Sequence, residues 1–523
     1  MITPVRRQYE SWPYPDIPLL AAVSPMHPWQ LHCDYLWDRS GSGEAPARPR
    51  IWIAGCGTFQ PYVFGVANPK AEILGTDISE HSLGIARRRC AIHLVRNVEF
   101  AHCDLNDEST WPTGEFDLIE CYGVLMNLKD PQATLRALGQ RLSAHGVLRV
   151  MVYPQFSRSR VFQVQRLAKL CGFHAGERDH PRRLRKAVLN LPEAHPLGWA
   201  FTSYEDSKND PGVVDAFLHA GDCGFTGLEL GALIERAGLV PASWFQKPRA
   251  QPAIMAERLG LGDATQSFVL HYLDVWQELR TNFVVCLRRA EVPSIAGRER
   301  PHPTFSSVAS ARQSIALARM GLVGGSVPTR VEGGTLHLDA ADVRELARSD
   351  VRSDKKAEFK RHGLLLGGPH SDSALKPHAD IGDNRLDVPL LRRGERAPNP
   401  FYAHLFAAFE LSTRCDLPDL AKQAATWANH AAPLEKAPVS FGLTPLATYN
   451  RHRAEVDAHL AAPPEPSAAG WDDVMLDDDA AKLAESRAWL VAHRVPNQGL
   501  SNAELRELWS LLFSYASLFL RIA

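Results

Sequence analysis

Between Arg50 and about Ala290, short apolar runs alternate with segments whose apolar residues recur at helical spacing. That alternation limits this part of the chain to a largely parallel sheet covered by helices. Five runs come first: RIWIA, AEILGT, NVEFAHC, FDLIEC and GVLRVMVY. Between them, Leu83, Ala86, Cys90 and Leu94 predict one buried helical stripe, and Leu135, Leu138 and Leu142 predict another. After Tyr153 the rhythm breaks for a stretch rich in Arg, Pro and His. It resumes at a helix with Leu230, Leu233, Ile234 and Ala237 facing inward. Two further runs, LVPASWF and NFVVCLRR, flank a helix around FVLHYLDVWQEL, so seven strands close one domain near Ala290.

A chain of 523 residues is too long for a single core. The expected division is an N-terminal lid segment over 1–49, the α/β domain over 50–290, a linker over 291–303 and a mainly helical C-terminal domain over 304–523. The linker is read from EVPSIAGRERPHPTF, where Pro, Gly and charge replace any apolar period. Residues 350–400 are polar apart from LLL at 364–366 and read as a long loop or a partly disordered excursion. Beyond them, Phe401, Leu405 and Phe409 share a helical face. Ser501 and Glu504 form a capping box ahead of Leu505, Leu508, Leu512 and Phe519, and AAPPEPSAAG separates the two groups.

The charges nearly cancel, 58 Lys and Arg against 59 Asp and Glu, so no global field draws the chain to nucleic acid or to an anionic membrane. Its apolar runs fall short of a bilayer span and MITPVRRQYE lacks a signal-peptide core, which reads as a cytoplasmic protein. The nine cysteines contain no C-x-x-C pair, which argues for reduced thiols and against a zinc site. His362, His370 and His378 recur in a Gly- and Pro-containing stretch without a metal-ligand spacing, and no metal is expected.

The turn after the first strand reads Gly55-Cys56-Gly57-Thr58, and glycines there let the backbone approach a ligand that a side chain would hold away. The second strand ends at Asp77, followed by Ile78, where nucleotide-binding α/β folds place a carboxylate for the ribose hydroxyls. The third ends at Asp104-Leu105, a carboxylate able to bind an adenine amino group beside an apolar residue that packs on its ring. Three consecutive strand ends thus point at one adenosine. No third glycine completes a pyrophosphate-binding turn after Gly57, which disfavours a dinucleotide.

The stretches IAGCGTFQP, LGTDISEHSLGIARRR, NVEFAHCDLND and FDLIECYGVLMNLKDP resemble the class I S-adenosylmethionine-dependent methyltransferases. They are especially similar to a bacterial group often fused to tetratricopeptide repeats. QYESWPYP resembles an element preceding that domain, and DAFLHAGDCGFTGLELGALIERAGL resembles a later segment, so the likeness covers roughly residues 8–290. It implies a seven-stranded Rossmann-like domain with S-adenosyl-L-methionine as cofactor. By position it implies that Gly55, Cys56 and Gly57 lie beside the methionine part, that Asp77 holds the ribose, and that Asp104 and Leu105 hold the adenine. Cys121 and Gly123 would floor the sulfonium, and Tyr9 and Tyr14 would lid the site. The chain departs from the pattern at Ile53, usually acidic, at Phe59, usually glycine, and at Met126-Asn127, usually His-His.

A sulfonium methyl is already electrophilic, so alignment matters most and a base is needed only when the acceptor must lose a proton. Tyr122, Asn127 and His219 are the catalytic candidates. The acceptor stays open between a small molecule and a protein side chain. The basic stretches RSRVFQVQRLAK and RDHPRRLRK allow an anionic acceptor or a solvated helix face, and without interleaved aromatics they do not favour RNA. A homodimer or a protein partner through the C-terminal domain is expected. The competing reading is a catalytically silent scaffold, for which Ile53, Phe59 and Met126-Asn127 speak.

Overall fold

The computed structural model describes residues 3–23, 28–190, 196–245, 265–275 and 281–302, parts of 326–367 and a few scattered positions. Its apolar runs form β1 (Arg50–Ala54), β2 (Glu72–Asp77), β3 (Val98–His102), β4 (Phe116–Tyr122), β5 (Leu142–Val152), β6 (Leu239–Trp244) and β7 (Phe283–Arg289). They make one sheet in the order β3-β2-β1-β4-β5-β7-β6. The first five strands are parallel, and β7 lies antiparallel between β5 and β6. The strand order reverses between β1 and β4, and their carboxyl ends flank the crevice where open α/β sheets bind ligands.

Two helices precede the sheet, α1 (Pro4–Ser11) and α2 (Cys33–Ser40). The crossovers between β1 and β2, β2 and β3, and β4 and β5 are α3 (Gln60–Ala67), α4 (Glu80–Ile92) and α5 (Pro131–Gln140). After β5 come α6 (Ser159–Leu170), α7 (His180–Leu189), α8 (Pro196–Ser203) and α9 (Asp210–Phe217). Helix α10 (Gly227–Arg236) leads to β6, and a helix Gln266–Val275 precedes β7.

Strict alternation along β1 fills both faces of the sheet. Trp52 and Ala54 enter one core with Trp111, Phe116 and Ile119, while Ile51 and Ile53 enter the other with Leu36, Trp37 and Phe64. Trp52 stacks edgewise on Trp111 at 5.4 Å and donates its indole N–H to the Thr76 hydroxyl at 2.8 Å. Each large side chain buried this way stabilises by about 1.5–3 kcal/mol, which makes the sheet a stiff platform for the loops at its edge.

Two predicted stripes run past their helices. Leu83, Ala86 and Cys90 are buried on α4, but α4 stops at Ile92 and Leu94 is 73% exposed with φ 59°. The cause is a left-handed stop, in which the Val95 N–H returns to the Cys90 carbonyl at 2.9 Å. Leu142 is fully buried, yet as the first residue of β5, paired with Phe116, and not as part of α5. Leu230, Leu233 and Ile234 are buried on α10, and Ala237 is its C-cap.

The break in rhythm after Tyr153 is a helical insert. Helices α6 to α9 pack Val161, Val164, Leu167, Leu184, Phe201 and Phe217 into a third apolar cluster. Of the basic residues there, Arg182 and Arg185 pair outward with Asp210 at 2.9 and 3.1 Å, whereas Arg158 turns inward and is 6% exposed.

Residues 291–302, read as a linker, run back along α2: the Ile295 N–H donates to the Gly41 carbonyl at 2.6 Å and Arg300 meets Asp34 at 2.6 Å. Arg300 and Pro301 pair with Leu365 and Leu366, so the LLL run is buried in the second core. A hairpin, Ser326–Val331 with Gly334–Asp339, and a helix Ser353–Arg361 are also described. The three spaced histidines, the helix at Phe401, and Glu504 of the capping box with the stripe after it lie outside the described residues. Among the described residues no helix is long and apolar enough to cross a membrane, and no group of three His, Cys, Asp or Glu side chains could hold a metal.

Candidate active site

Where β1 ends, Gly55 and Gly57 take φ 76° and 57°, a left-handed conformation that favours glycine. A Cβ on Gly55 would stand 2.4 Å from the Val124 side chain, and one on Gly57 would stand 2.8 Å from the Tyr14 carbonyl oxygen. Asp77, at the end of β2, locks this turn: one carboxylate oxygen accepts from the Gly57 N–H at 2.8 Å and the other from the Ser79 N–H at 2.9 Å. Burial pushes the Asp77 carboxyl up, and the backbone donors oppose that rise. At the end of β3, Asp104 accepts from the backbone and side-chain amides of Asn106 at 2.9 and 3.1 Å, and Leu105 is 7% exposed beside it.

A cavity of 1120 Å³ opens between these strand ends and the helical insert. Gly55, Cys56, Gly57, Asp77, Ile78, Asp104, Leu105, Gly123, Tyr122, Asn127, Tyr9 and Tyr14 all line it. Cys121 does not: it is fully buried in the core one layer below Gly123. His219 stands behind the wall, its Nε2 3.1 Å from the Tyr9 hydroxyl. The Asn127 amide donates to the Gly123 carbonyl at 3.4 Å, while its Oδ1 is buried without a hydrogen-bond partner among the described residues. Tyr122 lies under the Arg149 guanidinium at 4.9 Å. Of the departures from the resembled pattern, Ile53 and Met126 are both fully buried in the core and leave the cavity wall untouched.

The N-terminal segment is strapped across the glycine turn. The Glu10 carboxylate accepts from the Glu80 and His81 N–H groups at the start of α4, at 2.9 and 3.2 Å, where the helix dipole favours an anion. The Thr58 N–H donates to the Tyr14 carbonyl at 3.1 Å. Arg89, with no exposed surface, donates to the carbonyls of Thr58, Pro18 and Ile17 and lies 4.9 Å over the Phe59 ring. Phe59 therefore supplies a face for the cation that ties strap to turn.

The far wall belongs to the insert. The Tyr9 hydroxyl donates to Asp215 at 2.8 Å and the Tyr14 hydroxyl to Asp206 at 2.8 Å, so each tyrosine reaches a separate carboxylate. Both hydroxyls are held far above the ordinary phenol range, first by burial and then by the neighbouring carboxylates. Arg158 stacks 3.6 Å over Tyr153 and stands 3.9 Å from Asp222. Asp206, Asp215, Arg158 and Arg89 were not among the residues singled out from sequence. Arg158 opens the basic stretch RSRVFQVQRLAK and Asp215 opens DAFLHAGDCGFTGLELGALIERAGL, yet nothing in either segment picks that residue out, and Arg89 is the last of an arginine triplet.

The methyltransferase-domain family matches residues 54–178. An uncharacterized protein of Synechococcus sp. is 31% identical over 306 residues, 54% of this chain and 71% of its own. A ubiquinone biosynthesis O-methyltransferase of Aromatoleum aromaticum is 32% identical over 79 residues, 14% of this chain and 32% of that enzyme. Among solved structures, PKMT2 from Rickettsia typhi aligns with 15% identity and a TM-score of 0.43, covering 66% of this chain and 76% of that one. The chain carries a methyltransferase domain and belongs to the family of the Synechococcus protein.

Proposed function

We propose that the cavity seats S-adenosylmethionine along the carboxyl ends of β1 to β4 and that the chain passes its methyl group to an acceptor entering beside the helical insert. The observation that carries this reading is the convergence of the Gly55–Gly57 turn, Asp77 and Asp104 on one cavity. The residues fit the donor. The turn is a cradle that a Cβ at Gly55 or Gly57 would fill, and the unsatisfied Asn127 Oδ1 is an acceptor beside it. Gln60 stands where a G-x-G-x-x-G turn would carry its last glycine, so the turn offers no pyrophosphate seat. Asp77 spends one lone pair per oxygen on the backbone and keeps the others for the two ribose hydroxyls. Asp104 and Leu105 take the adenine edge and face, Ile78 packs beside the ribose, and Gly123 floors the reacting end with Cys121 one layer beneath it.

The donor supplies an electrophilic sulfonium methyl, so the protein's task is to hold two reactants in line and keep water out. At 1120 Å³ the cavity exceeds the roughly 300–1,000 Å³ of a site for one small ligand, which supports room for donor and acceptor together. The acceptor is a small molecule or a protein side chain, and residues 304–523 serve its recognition or a partner's. The eight described cysteines are free thiols, seven of them buried, which supports a cytoplasmic setting. Incubation with methyl-labelled donor and separate small-molecule and protein fractions of a cell extract tests the reading. Label should enter one fraction and be suppressed by S-adenosylhomocysteine; label in neither, with donor still bound, would count against transfer.

A further inference from the structure

We propose that Asp215 is the proton acceptor of the methyl transfer, held in the reaction chamber by Tyr9 with His219 behind it. The inference rests on the donor reading above and adds to it the class of acceptor, a hydroxyl or an amine that must lose a proton.

The directions of three hydrogen bonds fix the arrangement. The Gly221 N–H donates to His219 Nδ1 at 3.1 Å, so the ring proton is on Nε2, which donates to the Tyr9 oxygen at 3.1 Å. The proton of Tyr9 is then committed to Asp215 Oδ1 at 2.8 Å. Tyr9 can neither give nor take a proton at the substrate without breaking this order, and burial pushes His219 towards its neutral form. The free oxygen of Asp215 is the basic atom that remains, and Asp215 lines the cavity.

Its surroundings suit the task. Asp215 faces Tyr9 from α1, Tyr14 from the strap, Tyr153 from the end of β5, Arg158 at the start of α6, Asp206 ahead of α9, and His219 and Asp222 beyond it. Burial and the two carboxylates raise the Asp215 carboxyl, Tyr9 and Arg158 lower it, and the balance stands at about 7. A base near the working pH accepts a proton and returns it to solvent with little bias. Tyr9 is in turn anchored to the donor side, because its carbonyl accepts from the Ser79 hydroxyl at 3.2 Å, two residues past Asp77.

The step balances without a further reactant. The acceptor's lone pair forms the bond to the methyl carbon as the carbon–sulfur bond breaks, and that electron pair leaves the sulfur as a neutral thioether. The acceptor's proton moves to Asp215 Oδ2, and the resulting carboxylic acid releases it to water.

Proton linkage tests the assignment with no acceptor needed. The full-length chain is titrated with S-adenosylmethionine and with S-adenosylhomocysteine, near neutral pH, by calorimetry in two buffers of different ionisation enthalpy. A positive sulfonium beside Asp215 drives its ionisation, so the sulfonium should release a fraction of a proton per site that the neutral product does not. Asp215→Asn should abolish the difference. Tyr9→Phe removes a bond that lowers Asp215, and should move the difference to higher pH. Equal release by both ligands, a difference that survives in Asp215→Asn, or an unmoved profile in Tyr9→Phe would each overturn the assignment. Tyr9→Phe decides alone should Asp215→Asn fail to fold. Failure of the folded wild type to bind either ligand is a separate result, which overturns the donor reading and this inference with it.

Discussion

The two ends of the cavity are built in opposite ways. The end proposed for the donor is made of backbone: left-handed glycines, strand ends and one carboxylate bonded to N–H groups, with Gly57 and Asp77 only 20 residues apart. The end proposed for the acceptor is made of side chains that meet across the whole domain, Tyr9 with Asp215 at a separation of 206 residues and Tyr14 with Asp206 at 192. A backbone seat follows from a short motif and tolerates few residue types. A side-chain wall can be rebuilt pair by pair, and that freedom suits the part of a transferase that chooses the acceptor.

The two ends also differ in what they cost the fold. Asp215, raised from an ordinary 3.8 to about 7, binds its proton more tightly folded than unfolded. Its charged form therefore opposes folding, stability is lost as pH rises between about 4 and 7, and the full cost above that window is on the order of 4 kcal/mol. Asp215→Asn should melt higher than wild type at pH 8, with the advantage fading towards pH 4, as thermal unfolding across pH would read. At the donor end the effect is read in binding: Asp77→Ala removes two charge-assisted bonds to N–H groups as well as the proposed ribose contacts. A loss on the order of a hundredfold in donor affinity is expected by calorimetry, since such bonds contribute about 1.5–3 kcal/mol each.

Arg89 belongs to both ends, because it ties the strap to the glycine turn. Arg89→Met leaves the Ile17, Pro18 and Thr58 carbonyls without their donor and should destabilise by about 2–3 kcal/mol. Hydrogen exchange over residues 14–19 should accelerate with it. Gly57→Ala, at φ 57° and 2.8 Å from the Tyr14 oxygen, should weaken donor binding by roughly tenfold, the effect of about 1–2 kcal/mol for a strained left-handed residue. Smallest is Tyr14→Phe, which removes one bond to Asp206 and should cost about 1 kcal/mol in unfolding free energy while leaving donor affinity within a few-fold. A loss of donor affinity in Tyr14→Phe as large as in Asp77→Ala would break the division between the two ends.

The same division explains what could be read from the amino-acid sequence. Strand period, a glycine turn and carboxylates at successive strand ends are local signals, and they locate β1 to β7 and the wall from Gly55 to Asn127. Leu94 and Leu142 mislead because a spacing rule does not see a left-handed stop or the start of a strand. The insert is illegible because its arginines and prolines mask a buried apolar face. Asp215 sits in DAFLHAGDCGF with no local mark, and only the approach of α1 from the other end of the chain gives it a hydroxyl partner. His219, picked out as a catalytic candidate, stands two hydrogen bonds behind that carboxylate, through the Tyr9 hydroxyl.

The proposed function depends above all on Asp77 and the glycine turn as a seat for S-adenosylmethionine. Calorimetric titration of the full-length protein with S-adenosylmethionine, in parallel with a folded Asp77→Ala variant, tests it most directly. Saturable one-to-one binding by the wild type, weakened on the order of a hundredfold in the variant, is the predicted result. Undiminished binding in the variant would place the donor elsewhere, and no binding by a folded wild type would contradict the account at its base.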